Sequence, residues 1–423
     1  MSNAPTLREL SCADDYDPNS MPVPKAREVI ARFLSPVTTV ERLAVRAALG
    51  RILAQDLVSP VDVPSHDNSA MDGYALRFAD LKADGKASLK IVGSAFAGAP
   101  YPGALKAGEA VRIMTGGVVP AGADTIVMQE HAEVQDANVI IGGGHRLGQN
   151  LRKAGEDLQR GQPALRRGQP LRPAEIGLIA SLGIAEVPVY RRLRVAFFST
   201  GDELVSIGSP LGEGQIYDSN RYTIHGMLTR LGCDVIDMGV VRDDPKLLEA
   251  AFREAAAVAD VVITSGGVSV GEADFVKVLL NKLGEVVFWK IAMKPGRPLA
   301  YGKIGHAHFF GLPGNPVSVM VTFYQFVRDA LLKLSGRDPI DPLPTFSVPC
   351  TSTLKKAPGR TEFQRGILSR DAAGRLSVRV TGEQGSGILR SMSEANCFII
   401  LPTEQGNVTP GTTVEVQVME GVI

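Results

Sequence analysis

From Arg194 to Leu331 apolar β-branched runs alternate with amphipathic stretches, and this alternation constrains the fold more than any other feature of the chain. Residues 195–199 read as a strand, Asp218 or Ser219 caps a helix ending at Gly232, residues 235–238 are a strand, and Asp244-Pro245 starts a helix to about Val258. A strand at 261–264, a helix near 272–283, and strands near 286–291 and 307–311 follow. Asn315-Pro316 then opens a helix with Val317, Met320, Val321, Tyr324, Val327 and Leu331 on one face. Repeated βα units of this length imply a mostly parallel sheet covered by helices on both faces. Ligands of such sheets sit beyond the carboxyl ends of the strands.

The rest of the chain is organised differently. With 423 residues the expectation is two to four domains, because one core rarely grows past roughly 250–300 residues. Residues up to about 22 are polar. Ala26, Val29, Ile30, Phe33 and Leu34 then follow helical spacing, with Pro24 in the first turn, and residues 37–60 are expected to continue this helical unit. Between residues 60 and 150 short β-type runs (89–91, 111–114, 139–141) are broken by Gly and Pro. Residues 173–182 form a helix stopped by Gly183, expected to pack back on the first unit. After Asp341 short strands and turns return. The division is therefore an N-terminal extended or helical domain (1–60 with 151–190), a β-rich inserted domain (61–150), an α/β domain (191–340) and a C-terminal β domain (341–423).

Charge and cysteine usage exclude several classes. Lys+Arg and Asp+Glu balance at 45 each, so no overall field draws in nucleic acid or an anionic membrane. The four cysteines, Cys12, Cys233, Cys350 and Cys397, show no paired spacing, against a disulfide framework or a zinc site. No charged start precedes an apolar stretch, and no window approaches the roughly 20 apolar residues needed to cross a bilayer. A cytoplasmic globular protein is expected.

Three loops leave carboxyl ends of predicted strands: Ser199-Thr-Gly-Asp-Glu203, Ser265-Gly-Gly-Val-Ser269 and Gly311-Leu-Pro-Gly-Asn-Pro316. Any one of them is ordinary turn and cap chemistry; three on one edge favour a site. In residues 260–274 an apolar strand runs into a small-residue loop that opens a helix with acids beside it. Backbone N–H groups and the helix dipole suit a phosphate there, and the acids suit a metal ion on that phosphate. Gly267-Val-Ser269-Val-Gly271 also matches the nucleophile elbow of α/β-hydrolases, but the only later histidines, His306 and His308, sit two apart on a predicted strand and face opposite sides. Ser269 is better read as a donor. Asp67-Asn-Ser-Ala-Met-Asp72-Gly-Tyr74 reads as a polar loop whose acids and hydroxyl could reach a cleft, and Lys290, Lys294 and Arg297 place three cations in eight residues, suited to an oxyanion. Walker A, a G-x-G-x-x-G after a strand and H-E-x-x-H are absent.

These segments, with Arg112-Ile-Met-Thr-Gly116, Lys294-Pro-Gly-Arg-Pro298, Gly359-Arg-Thr-Glu-Phe363 and Ser391-Met-Ser-Glu-Ala-Asn396, resemble the molybdopterin molybdenumtransferase (MoeA) family, whose eukaryotic relatives include the E domain of gephyrin. The resemblance runs in order from about residue 40 to the end. It implies a multidomain α/β protein with a molybdopterin-binding-like sheet domain and a C-terminal β-barrel-like domain. It also implies insertion of molybdate into adenylylated molybdopterin with release of AMP, the last step of molybdenum cofactor biosynthesis, in a homodimer whose site is shared between subunits.

Carried over motif by motif, Asp67, Thr115, Asp157 and Glu203 face the cleft. Asp243 and Asp274 are the carboxylates near Mg²⁺ and pyrophosphate, with Lys290 and Lys294 beside them as the catalytic set. Ser265, Gly266, Gly267, Ser269, Arg297, Pro313, Gly314 and Pro316 line the substrate, and Arg360 and Ser386 hold molybdate. Many relatives carry Lys at the Arg297 position; either cation serves an oxyanion. No covalent serine or cysteine nucleophile is required. The molybdopterin adenylyltransferase and recipient molybdoenzymes are the implied protein partners. The rival readings are an adenylyltransferase, whose single domain resembles residues 191–335 but lacks the Asp67 motif and flanking β domains, and a receptor-gathering scaffold like gephyrin, for which no long linker or fused second enzyme domain is present.

Overall fold

A computed structural model describes residues 20–83, 85–266 and 274–419. Its centre is a six-stranded sheet in the order Asp234–Val241, Arg194–Thr200, Val261–Ser265, Ala307–Leu312, Pro298–Ile304, Gly284–Lys290. The first four are parallel neighbours, and Pro298–Ile304 runs antiparallel to both of its neighbours. Pro298–Ile304 escaped the sequence reading because two residues, Gly305 and His306, suffice to turn it into the next strand.

Both faces are covered, and the strand side chains show it by alternation. Val195, Phe197, Val261, Ile263, Phe310 and Leu312 point into one core; Ala196, Phe198, Val262 and Phe309 point into the other. The first core receives the helix Ser219–Arg230 through Ile224, Met227 and Leu228, and the second receives Pro245–Val258 through Leu248, Ala251, Phe252 and Ala255. Asp218 caps the former by accepting from Arg221 N, and Asp244 the latter by accepting from Lys246 and Leu247 N.

The segment opened by Pro316 departs from the one-faced helix expected. Helix Pro316–Thr322 passes through a π-helical turn, Phe323–Val327, into helix Arg328–Leu334, and every residue from Val317 to Val327 is buried. The cause is its position. The sheet lies on one side, the helix Val23–Phe33 on another, and Phe363, Met392 and Phe398 of the C-terminal region close the same core, with Tyr324 edge-on to Phe398 at 5.4 Å. An apolar helix buried all round is what such a wedge requires.

Residues 37–60 correct the sequence reading. In place of a continued helix, Val40–Ala44 is a strand paired antiparallel with Glu186–Tyr190, followed by a 3₁₀ turn at Val45–Ala48 and a short strand Leu57–Val58 paired with Pro163–Leu165. Long-range pairing prevails in this stretch, and it buries Leu53, Val187 and Val189 with Ile179 of the helix Pro173–Ser181. The helix Val23–Phe33 packs against the α/β core instead of this cluster.

The inserted region is a six-stranded sheet in the order Thr125–Met128, Gly73–Leu76, Glu109–Ile113, Ala87–Ala95, Asn138–Ile141, Ala132–Gln135, with apolar clusters on both faces. Gly73 is obligatory in it, since a Cβ there would lie 2.0 Å from Val127 O. The C-terminal strands Thr345–Pro349, Thr361–Arg370, Leu376–Val380, Cys397–Leu401 and Thr413–Val418 form a mostly antiparallel sheet. Met293–Lys294 joins that sheet from the α/β region, parallel to Thr361–Glu362. Cys233, Cys350 and Cys397 are free thiols, and burial pushes Cys233 up to about 12 and Cys397 up to about 11.

Candidate functional site

The carboxyl ends of Arg194–Thr200, Val261–Ser265 and Ala307–Leu312 lie side by side, with Ser199 opposite Ser265 and Ser265 opposite Leu312. The three predicted loops therefore leave one edge, the second described only as far as Gly266. Gly266 turns the middle one with φ +93°, and a Cβ at that position would stand 2.5 Å from Thr200 O. Only glycine lets the two loops approach this closely. Asn220, near the start of the helix Ser219–Arg230, ties the other pair: its Nδ2 donates to Ser265 Oγ at 2.8 Å and to Gly314 O at 2.6 Å. Ser265 Oγ in turn lies 3.5 Å from Pro313 O.

The sequence reading missed Asn220. Its signal was its place two residues after a capping aspartate on a helix whose start returns to the same edge. Around this staple, Ser199 Oγ, Thr200 Oγ1, Asp218 Oδ2 and Asn220 Oδ1 are buried and have no partner among the described residues. Four polar atoms of this kind at one strand edge suit a polar ligand, since each costs about 1–3 kcal/mol if left unpaired.

Gly267 and Ser269 lie outside the described residues, and so does the side chain of Asp274, whose backbone begins the helix Asp274–Leu283. Asp243 is exposed just beyond the strand Asp234–Val241, on the same edge. The Glu203 carboxylate folds back over Gly201, where a Cβ would stand 2.5 Å from Oε2. Lys290 ends a strand that runs in the same direction as the four parallel strands, so Lys290, Lys294 and Arg297 also fall at this edge.

The C-terminal region contributes from the side. Pairing of Met293–Lys294 with Thr361–Glu362 sets Lys294 Nζ 3.4 Å from the buried Glu362 carboxylate and brings exposed Arg360 beside it. Ser386 O accepts from Val317 N at 3.1 Å, which places the Ser386 loop against Pro313, Gly314 and Pro316. That loop is held by Arg365, which is 1% exposed. Its guanidinium donates to Ser391 Oγ at 3.0 Å, Gln384 O at 3.3 Å and Gly385 O at 2.9 Å, and burial lowers its pKa to about 10. Arg365 sits within the Thr361–Arg370 strand, where strand periodicity alone gave no sign of a buried cation.

Asp67 and Thr115 of the inserted region, with Asp157 of the segment that follows it, form a separate group. Asp67 accepts from Lys153 Nζ at 2.7 Å and Ala154 N at 2.8 Å, and the lysine bond above all holds its carboxyl below the ordinary range. Thr115 donates through its N–H and Oγ1 to one oxygen of Asp72, at 2.7 and 2.8 Å, which depresses Asp72 likewise. Pairing of Asn68–Ser69 with Leu151–Arg152, and Gly116 N on Ser69 O at 2.8 Å, keep these loops together. Asp157 is exposed, with its N–H on Val63 O. Among the described residues, no hydrogen bond or ion pair of this group's side chains reaches the α/β edge.

Among the described residues no three His, Cys, Asp or Glu side chains converge as a metal cage. Mg²⁺ does not need one: it characteristically takes one or two carboxylates together with substrate phosphates and water. Exposed Asp243 can supply one such carboxylate; the Asp274 side chain lies outside the described residues.

Three family models cover most of the chain. The MoeA N-terminal region (domain I and II) matches residues 21–183, a probable molybdopterin binding domain matches 196–333, and the MoeA C-terminal region (domain IV) matches 347–419. A molybdopterin molybdenumtransferase of Haemophilus influenzae is 47% identical over 394 residues, covering 93% of this chain and 97% of the relative. One of Bacillus subtilis is 32% identical, covering 94% and 93%. A crystal structure of the molybdopterin biosynthesis MoeA protein from Pyrococcus horikoshii superposes with a TM-score of 0.82 at 27% identity, covering 94% of this chain and all of that one. The loops at the sheet edge, the inserted sheet and the C-terminal sheet thus stand in one protein of known kind, and the chain belongs to the MoeA family of molybdopterin molybdenumtransferases.

Proposed function

We infer that this chain is a molybdenum insertase: it inserts molybdate into adenylylated molybdopterin and releases AMP, in the final step of molybdenum cofactor biosynthesis. The observation that carries the reading is the convergence of the Thr200, Gly266 and Gly314 loops, stapled by Asn220, beside the cations of the Lys290–Arg360 side. A glycine-lined edge suits the pyrophosphate, and the Lys290, Lys294, Arg297 and Arg360 side suits the molybdate dianion, with Ser386 next to it. Cleavage breaks one P–O bond of the phosphoanhydride, water supplying the oxygen. The two dithiolene sulfurs replace one oxo group of molybdate, which leaves as water with their two protons.

Within this reading Asp243 and Asp274 hold Mg²⁺, which shields the pyrophosphate charge when bound. The Asp67, Thr115 and Asp157 group serves the same site across a homodimer, facing the α/β edge of a second copy. Glu203, Pro313 and Pro316 shape the pterin side. The adenylyltransferase that makes the substrate and the molybdoenzymes that take the product are the expected protein partners, in the cytoplasm; no described helix is long and apolar enough to cross a membrane.

The test is AMP release from adenylylated molybdopterin, measured with and without molybdate. Molybdate-dependent release is expected. Consumption of ATP to adenylylate molybdopterin, with no such release, would overturn the assignment in favour of an adenylyltransferase.

A further inference from the structure

The opposite edge of the α/β sheet carries a cavity of about 470 Å³. It lies where the starts of the strands Arg194–Thr200 and Asp234–Val241 meet the Arg51 and Tyr190 segments and the helix Arg328–Leu334. Arg51, Arg191, Arg192, Arg230, Arg328 and Arg337 line it, against one acid, Asp341. Such a concentration is not explained by the fold alone, because like charges this close must be answered.

Four of the six have an acidic partner. Both oxygens of Asp260 take Arg191, at 2.7 and 2.6 Å; Glu41 takes Arg51 at 2.6 Å, Asp341 takes Arg337 at 2.8 Å, and Asp329 takes Arg328. Among the described residues, the Arg192 guanidinium has only the Gly232 carbonyl, at 2.8 Å, and Arg230 has no ion pair. The dipole at the carboxyl end of the helix Ser219–Arg230 answers at most about half a charge. Both side chains are exposed at the cavity mouth.

A second observation points the same way. Arg328 is 8% exposed, and its Nε, like that of Arg337, is buried without an acceptor among the described residues. The floor between these cations is apolar: Pro342 and Pro344 are exposed there, over the buried side chains of Leu193, Leu331, Leu332 and Leu343. Guanidinium groups over an apolar floor, in a volume within the roughly 300–1,000 Å³ of small-molecule sites, select an anionic head on an apolar or aromatic body.

We propose that this cavity binds a phosphorylated small molecule of nucleotide size, its phosphate on Arg192 and Arg230 and its body on the apolar floor at Pro342 and Pro344. The site is separate from the glycine-lined edge and does not depend on the function assigned to that edge. Its occupant touches both the α/β region and the Arg51–Tyr190 segments, so binding also ties these together.

The test titrates the intact protein with inorganic phosphate and with AMP by calorimetry, at low and at physiological salt. Two double variants separate the sites: Arg192→Ser/Arg230→Ser at the cavity mouth, and Lys294→Ala/Arg360→Ala at the other edge, each checked for an unchanged melting profile. The expected result is a binding event kept in the Lys294/Arg360 variant and weakened at least about tenfold in the Arg192/Arg230 variant, about 1.4 kcal/mol. AMP binding more tightly than phosphate supports a nucleotide-sized ligand; equal affinities would show the apolar floor unused and overturn that part of the proposal. Equal binding by wild type and the Arg192/Arg230 variant, or no heat from either probe at millimolar concentration, overturns the proposal.

Discussion

The α/β edge and the Asp67 group of the inserted region both carry polar residues singled out from sequence, yet they are held in opposite ways. At the edge, Ser265 is 1% exposed and Asn220 9%, and their bonds tie separate loops into one wall. In the Asp67 group, Asp67 of the inserted region and Lys153 just beyond it have side chains 38% and 68% exposed, and they meet as a surface ion pair. A buried bond cannot be exchanged for water without leaving a group unsatisfied, whereas an exposed pair is worth about 0–1 kcal/mol and is screened by salt. One wall is fixed by folding. The other stays exposed to solvent within this chain, as the proposed sharing of the site with a second copy requires.

The sharpest way to break this contrast is Gly266→Ala. The left-handed backbone alone costs a non-glycine residue roughly 1–2 kcal/mol, and the new Cβ also meets Thr200 O at 2.5 Å. AMP release should fall by about a hundredfold or more, since displacing reacting groups by even ~1 Å can cost that much. Retained activity would show that the edge is not rigid. Asn220→Ala comes next. It leaves Ser265 Oγ and Gly314 O without their shared donor, for about 1–3 kcal/mol of stability and about a tenfold to hundredfold loss of kcat/KM. Denaturant melts beside steady-state rates would check both. Asn220→Asp should not rescue, because it restores the shape without the N–H donors.

Acid sharpens the contrast differently. His308 is 7% exposed on the strand Ala307–Leu312, and burial lowers its pKa from 6.5 to about 4. Below about pH 6.5 the unfolded chain binds a proton that the folded chain refuses until about pH 4, so stability is lost as pH falls through that window. The gap amounts to about 3 kcal/mol at most. Urea melts between pH 7 and pH 4 should show the loss, and His308→Gln should flatten it. An unchanged slope in that variant would assign the acid sensitivity elsewhere.

The parallel edge was legible because βα alternation is a long, repeated signal, and a strand's carboxyl end follows from its direction alone. The small-residue loops were legible for the same reason. What sequence could not show was contact made at a distance. Asn220 reads as one polar residue in a helix until its amide is seen 2.6 Å from Gly314 O. Arg365 reads as a strand cation until it is seen holding the Gln384–Gly385 carbonyls. Residues 37–60 misled for a related reason: the helical expectation carried on from residues 26–34 was overruled by pairing with residues 186–190, far along the chain. His308, expected on a strand facing away from His306, is on one, while His306 falls in the turn before it.

The smallest effect is expected at the exposed group. Lys153→Ala removes the first cause of the depressed Asp67 pKa, leaving the Ala154 N–H. The Asp67 carboxyl should therefore rise part of the way toward its ordinary value. Its contribution, present above the unfolded pKa and lost as pH falls through the folded one, then shrinks. With both side chains over a third exposed, the stability change should stay under about 1 kcal/mol. It should vanish in ~1 M salt, where the Debye length is about 3 Å. The acid limb of AMP release should move to higher pH in the variant, and wild type should approach it as salt is raised. A loss of several kcal/mol, or one that salt leaves untouched, would mean that this ion pair is as structural as the Asn220 staple, and the two walls would no longer differ in kind.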